Sequence, residues 1–235
     1  MKKILLIILV ATLAFGSCKK ETLDVSKITT YATMTLKSSS TLFWSLNTPF
    51  VDPGCVAKEG TTDITSKIVV TSNVDVTKGG KYSVTYKVQN SDGFYASTVR
   101  TVYVYDQTAP LNGNYVSNIR RNNAGAIANR GPFTVMVYGI GNGNYKVSDL
   151  LGGWYDVGSN YGSTYAGAAV LKLNADNTFS IVSASKLAWG YPCVLTAGTT
   201  SAYNAATKTL VLNTNMEDAP NMKFTVTLSN PSSLN

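Results

Sequence analysis

The chain reads as an all-β protein of two successive antiparallel domains, and three observations carry that prediction. Tyrosine occurs 14 times and glycine 19 times among 235 residues, beside abundant Thr, Ser, Val and Asn, a usage that favours strands and turns. Period-two alternation is clean in Lys81 to Val88, while no segment sustains a 3.6-residue apolar repeat. Clusters of Gly, Pro, Asn and Asp punctuate the chain about every 8–12 residues, the spacing expected of sandwiches and barrels.

Residues 1–17 read as a secretory signal peptide. Lys2 and Lys3 form a basic n-region, Ile4 to Leu13 an apolar h-region broken only by Thr12, and Gly16-Ser17 the small residues ahead of Cys18. The apolar run is too short for a bilayer span, which needs about 20 residues. A cysteine in that position resembles the lipobox of bacterial lipoproteins, with Phe15 standing where leucine is usual. The resemblance implies cleavage before Cys18 and acylation of its thiol and its new amine. Cys18 is therefore the expected lipid-attachment site and the membrane an expected partner, since two acyl chains anchor stably where one is marginal. Residues 18–27 are polar and read as a tether.

Residues 28–106 carry the first domain. Thr29 to Leu36 alternates weakly, Val51-Asp52-Pro53-Gly54 is a turn signal, and Lys67 to Ser72 has strand length. After Gly79-Gly80 the strand Lys81 to Val88 places Tyr82, Val84, Tyr86 and Val88 on one face. Asn90-Ser91-Asp92-Gly93 closes a hairpin, and Ala96 to Tyr105 returns. The motifs F-V-D-P-G (50–54), D-I-T-S-K (63–67), G-K-Y-S-V-T-Y-K-V (80–88), N-S-D-G (90–93) and R-T-V-Y-V (100–104) resemble the bacterial surface Ig-like domain. That resemblance implies a β-sandwich acting as a spacer or binding module. Gly54 and Gly93 are then turn residues, and Tyr82 and Tyr86 core residues.

Residues 107–110 read as a linker, with Pro110 disfavouring helix before it. Residues 111–235 continue in β pattern. Phe133 to Tyr138 is an apolar run, and Gly139 to Asn144 a glycine turn leading to Tyr145-Lys146-Val147. Asn174 to Asn177 and Asn204 to Lys208 are hairpin signals, and Met222 to Leu228 alternates as a last strand. An antiparallel barrel of lipocalin type, or a sandwich, would hide the strand edges. The segments 141–156 (G-N-G-N-Y-K-V-S-D-L-L-G-G-W-Y-D) and 188–191 (A-W-G-Y) resemble the C-terminal domain of Bacteroides-type surface lipoproteins. This implies lipid anchorage at the outer membrane, with the cell surface favoured. Lys19 and Lys20 precede Glu21 and Asp24 and leave a periplasm-facing placement open.

Composition narrows the chemistry. Histidine is absent, which removes His-based triads, Cys-His pairs and zinc hydrolase motifs. Net charge is +7, and only Lys19-Lys20 and Arg120-Arg121 form basic pairs, so nucleic acid is not an expected partner. Cys55 and Cys193 read either as an inter-domain disulfide or as two separately buried thiols. Gly141-Asn142-Gly143 lacks a following helix pattern, so it reads as a hairpin turn and not a phosphate cradle. Asp149 and Asp156 are the one carboxylate pair placed beside aromatics as a glycosidase needs, though each also suits a turn cap. Asp149, Asp156, Asp176, Glu217 and Asp218 show no calcium-loop spacing. No catalytic residue, metal or cofactor is assigned.

The aromatics Trp154, Tyr155, Tyr161, Tyr165, Trp189 and Tyr191 cluster in glycine-rich stretches where strands meet loops. Such rings stack on the apolar faces of sugars, and they also pack cores. Trp154, Tyr155, Trp189 and Tyr191 are the ligand-binding candidates. The expectation is a non-catalytic, lipid-anchored cell-envelope protein capturing glycan. The alternative is an adhesion or fimbria-like structural subunit that binds surface protein.

Overall fold

The computed structural model describes residues 28–234. The signal peptide, Cys18 and the tether 18–27 lie outside the described residues. Seven strands make the first domain: β1 (Ala32–Leu36), β2 (Thr41–Ser45), β3 (Cys55–Glu59), β4 (Thr62–Asp63), β5 (Val69–Ser72), β6 (Gly80–Gln89) and β7 (Tyr95–Tyr105). They form two sheets, β1-β3-β4 and β2-β7-β6-β5. Every pairing is antiparallel except that β2 runs parallel to β7. Alternation places Val84 and Tyr86 of β6 and Val102 and Val104 of β7 inward, against Cys55 of the facing sheet. Tyr82 packs at the margin of this core, and its hydroxyl donates to the Lys78 carbonyl at 2.8 Å. The residues between Leu36 and Phe50 show no alternation because all five positions of β2 are half-buried.

The inward face of β7 also carries Arg100, which is fully buried. Its guanidinium pairs with the Asp52 carboxylate and contacts the Tyr86 hydroxyl. Nη2 donates to the Gly54 carbonyl at 3.1 Å and Nε to the Ser39 carbonyl at 3.2 Å. Tyr86 completes the triangle by donating to Asp52 Oδ1 at 2.5 Å. The V-D-P-G turn is thereby locked to the centre of the β6–β7 hairpin. Burial and the neighbouring Asp52 carboxylate push the Tyr86 phenol well above its ordinary range, so it stays a donor.

The second domain is one nine-stranded antiparallel sheet. Its strands are β8 (Gly113–Asn123), β9 (Ala126–Gly141), β10 (Asn144–Val147), β11 (Ala169–Leu173), β12 (Phe179–Ala184), β13 (Cys193–Leu195), β14 (Ala202–Asn204), β15 (Thr209–Met216) and β16 (Ala219–Ser232). The order is β12-β11-β10-β9-β8-β16-β15-β13, with β14 also on β15. A bridge between Thr178 and Ala202 returns β14 to the start of β12, so the sheet nearly closes on itself. Of the barrel and the sandwich, the chain adopts the barrel. Its interior is filled by Leu111, Tyr115, Val135, Val137, Leu171, Leu210, Leu212 and Val226, among others. Cys193 lies in this core and Cys55 in the other, both as free thiols.

The two domains meet without a loose joint. The Asp106 N–H donates to the Gly139 carbonyl at 2.9 Å, and Asn112 bridges back from its side chain to the Asp106 carbonyl at 2.7 Å. The Asn112 amide oxygen accepts from Gly139 N–H at 2.8 Å. Gly79 lies so close to Ile140 that a Cβ there would sit 2.5 Å from the Ile140 Cα. Tyr103 and Tyr138 meet edge to face at 5.5 Å across the same junction.

Asp52→Ala should cost about 3 kcal/mol, because breaking a buried pair leaves the Arg100 charge uncompensated. Tyr86→Phe should cost about 1 kcal/mol, the worth of its hydrogen bond. Urea denaturation followed by far-UV circular dichroism reads both.

Candidate functional site

Two loops at one end of the barrel build the site. The long one, residues 148–168, runs from β10 to β11, and the short one, residues 185–192, from β12 to β13. Asp149 organises the long loop. Its carboxylate accepts from the backbone N–H groups of Leu151 (2.8 Å), Gly153 (2.7 Å) and Gly167 (2.8 Å), and it is buried. Burial raises its pKa to about 6, outweighing the three donors that favour the anion. The loop then dives into the barrel through Gly152 and Gly153, both at positive φ. A Cβ on Gly152 would meet Ser117 Oγ at 2.5 Å, and one on Gly153 would meet Phe133 at 2.9 Å. Only glycine allows this close passage.

The passage carries Trp154 inward, and this corrects one expectation. Trp154 is 1% exposed and edge-packed on Phe224 at 5.7 Å. The Arg121 and Arg130 guanidiniums lie against its ring, 4.6 and 4.5 Å from the centroid. Arg130 also donates to the Trp154 carbonyl at 2.9 Å and to Ser159 Oγ at 2.7 Å. A ring so enclosed cannot stack on an external sugar. Tyr155 is likewise buried and turns its hydroxyl to Met222 Sδ at 3.0 Å. It is the floor of the site and not a contact surface.

Above that floor the rings gather around Trp189. Tyr155 meets it edge-on at 4.8 Å, Tyr165 at 4.7 Å and Tyr161 at 6.3 Å, while Tyr191 stacks beside it at 6.3 Å. Trp189 is 38% exposed and Tyr161 53% exposed. A hydrogen bond from Ala188 N–H to the Thr164 carbonyl, 2.9 Å, ties the two loops together. The turn is fixed by Leu187 N–H to the Tyr191 carbonyl at 3.0 Å. The structure thus unites Trp189, Tyr191 and Tyr155 and adds Tyr161 and Tyr165, which lie outside the four candidates. Their signal was already in the sequence, as aromatics flanked by Gly162 and Gly167 in a loop.

The two carboxylates have different surroundings. Asp149 is enclosed by backbone donors, whereas Asp156 lines a separate cleft of about 530 Å³ between the domains. Lys81 and Tyr103 of the first domain face Tyr138, Lys146 and Ser183 of the second across that cleft. Sequence alone could not find it, because its walls come from strands far apart in the chain. Among the described residues, no group of three or more Cys, Asp or Glu is placed to hold a metal ion.

Trp154→Ala should destabilise the chain by about 3–5 kcal/mol, the cost of emptying a large core site. Trp189→Ala should cost about 1 kcal/mol or less; guanidinium titration distinguishes them. A pH series tests Asp149. Between about pH 4 and pH 6 the folded chain keeps a proton that the unfolded carboxyl has lost, so stability falls as pH rises through this window. The other shifted carboxylates, Asp63, Asp75 and Asp176, are lowered by threonine hydroxyl and backbone donors and act below it. Thermal midpoints at pH 4.5 and 6.5 should differ, and Asp149→Asn should remove the difference.

Comparison with known proteins places both halves. The bacterial surface protein Ig-like domain matches residues 34–104, and a family model described only as a "-like" C-terminal domain matches residues 104–230. The crystal structure of the lipoprotein BT2262 from Bacteroides thetaiotaomicron is similar, with 28% identity and a TM-score of 0.66. The match covers 85% of this chain and 100% of that one. Two structures of the CBM51-2 and INT domains of Clostridium perfringens ZmpB, one with GlcNAc, show 16% identity. They cover 86% and 82% of this chain and 44% and 43% of theirs, with TM-scores of 0.29 and 0.26, too low to equate the folds. None of the curated proteins matches the chain. The C-terminal model spans more than half of the sequence, and the chain belongs to that family, its β-domain set directly behind a bacterial surface protein Ig-like domain.

Proposed function

We propose that this chain is a non-catalytic binding protein, lipid-anchored through Cys18 at the outer membrane and displayed on the cell surface, which captures glycan at the end of its barrel. One observation carries the reading: four aromatic side chains from two loops converge on Trp189, with Trp189 and Tyr161 open to solvent. Flat apolar rings offer stacking faces to sugar C–H surfaces, and a preformed cluster binds with little ordering cost. The Gly16-Ser17-Cys18 order and the lipoprotein relative support the anchor.

A second reading, an adhesion or fimbria-like subunit, draws on β5. This strand ends the β2-β7-β6-β5 sheet with all four residues exposed, and a partner strand could add there.

Isothermal titration against a broad glycan panel decides between them. At least one glycan should bind, and Trp189→Ala should weaken it tenfold or more, about 1.4 kcal/mol. Binding that survives Trp189→Ala unchanged, or no binding to any glycan, rejects the first reading. Concentration-dependent self-association on size exclusion would then favour the second. Labelling of cells with a clickable fatty acid should mark the wild-type chain and not Cys18→Ala.

A further inference from the structure

At the end of the first domain far from the barrel, large apolar side chains stand in solvent. Ile28 is 90% exposed, Tyr31 64%, Phe94 50% and Tyr95 62%. They form a built surface and not scattered residues. The Asn90 side chain donates to the Thr30 carbonyl at 2.8 Å and accepts from Phe94 N–H at 2.7 Å, fastening the β6–β7 turn to the incoming chain. The Tyr31 and Phe94 rings meet edge to face at 5.5 Å. The Lys87 ammonium lies 3.9 Å over the Tyr95 ring. The Glu59 carboxylate accepts from Ser91, from its N–H at 3.0 Å and its hydroxyl at 2.5 Å. Tyr31 and Phe94 touch, and Ile28 and Tyr95 flank them in the chain; exposed apolar groups gathered at one tip mark an interaction site.

Position identifies what covers it. Strand β7 starts at Tyr95 in the patch and ends at Tyr105 beside the barrel, so its 11 residues separate the two by about 33 Å. The chain enters the domain at the patch itself, through Ile28 and Tyr31. Ten residues join Cys18 to Ile28, a reach of at most about 35 Å. A lipid on Cys18 would therefore tether the molecule at this tip, the part of the described residues that the chain reaches first from the anchor. Tyrosine rings paired with a lysine are the side chains that settle at the level of lipid head groups.

We infer that Ile28, Tyr31, Phe94 and Tyr95 form a membrane-contact surface, seating the first domain on the lipid head-group layer with the barrel directed away. The inference rests on the Cys18 anchor proposed above, and the test supplies that anchor chemically so that the two can fail separately. The chain 18–235 is coupled through its Cys18 thiol to a maleimide-headgroup lipid in phosphatidylcholine vesicles. Cys55 and Cys193 are buried and leave one reactive thiol. Hydrogen exchange by mass spectrometry then compares anchored and lipid-free chain.

Amides of residues 90–96 should exchange several-fold more slowly when anchored, with residues 185–192 unchanged. Tyr31→Ser/Phe94→Ser/Tyr95→Ser should abolish the difference while the amides of 100–104 keep their protection. If that triple variant does not fold, Phe94→Ser alone with spin-labelled lipid reads the same contact, as weaker broadening of residues 90–96. Equal exchange in anchored and free chain overturns the inference. So does slowing that appears only on raising the concentration of lipid-free chain, since the patch then seats a second copy. Absence of fatty-acid label in cells would remove the natural anchor and leave these in vitro outcomes standing.

Discussion

The Asp149 carboxylate is the constraint on which the aromatic end of the barrel depends. Three backbone N–H groups, from two ends of one long loop, converge on it inside the barrel mouth. A loop of this length would otherwise lie over the surface, with its polar backbone in water. Held at Asp149, it instead folds into the interior, seats Trp154 between two guanidiniums and exposes Tyr161 beside Trp189. The same bond set thus decides which aromatic rings are structural and which are available. Burial of the carboxylate costs free energy, and the three donors offset it only in part, as its raised pKa records.

The first domain meets a similar need with an ion pair. Arg100 occupies an inward position on β7, where an apolar residue would satisfy the pattern, and gathers Asp52, Gly54, Ser39 and Tyr86 around it. Three chain segments far apart in sequence are held by one guanidinium. Arginine suits this because its planar fork presents several donors in fixed directions. Each domain thus places one charged group in its interior, and each uses it to fix a loop.

Much of the fold was legible in the sequence and the rest was hidden for definable reasons. Strands β6 and β7 were visible because one face is buried and the other is not, so the alternation of Tyr82 to Val88 stands out. Strand β2 was hidden because it is half-buried on both faces and shows no period. The D-P-G turn was visible, while its attachment to Arg100 depended on a contact 48 residues away. Among the aromatics, adjacency in sequence was misleading. Trp154 and Tyr155 point into the barrel because the preceding Gly152-Gly153 takes the backbone inward, and local composition does not encode depth. Trp189 and Tyr191 share a short turn whose Leu187 fills the core while Trp189 stays 38% exposed, a division that local composition does not show. The inter-domain cleft needed the Asp106–Asn112–Gly139 clamp, which only the assembled chain reveals.

The parallel pairing of β2 with β7 has a mechanical meaning. The chain enters the first domain at the Tyr31 and Phe94 tip and leaves it at Tyr105, the opposite end of the longest strand. Tension between an anchored N-terminus and a loaded barrel would run along the strands, and the five β2–β7 residue pairs would resist it together. Shear of this kind must break many hydrogen bonds at once, whereas peeling an antiparallel hairpin breaks them one by one. The topology therefore suits the first domain to withstand tension applied between its two ends.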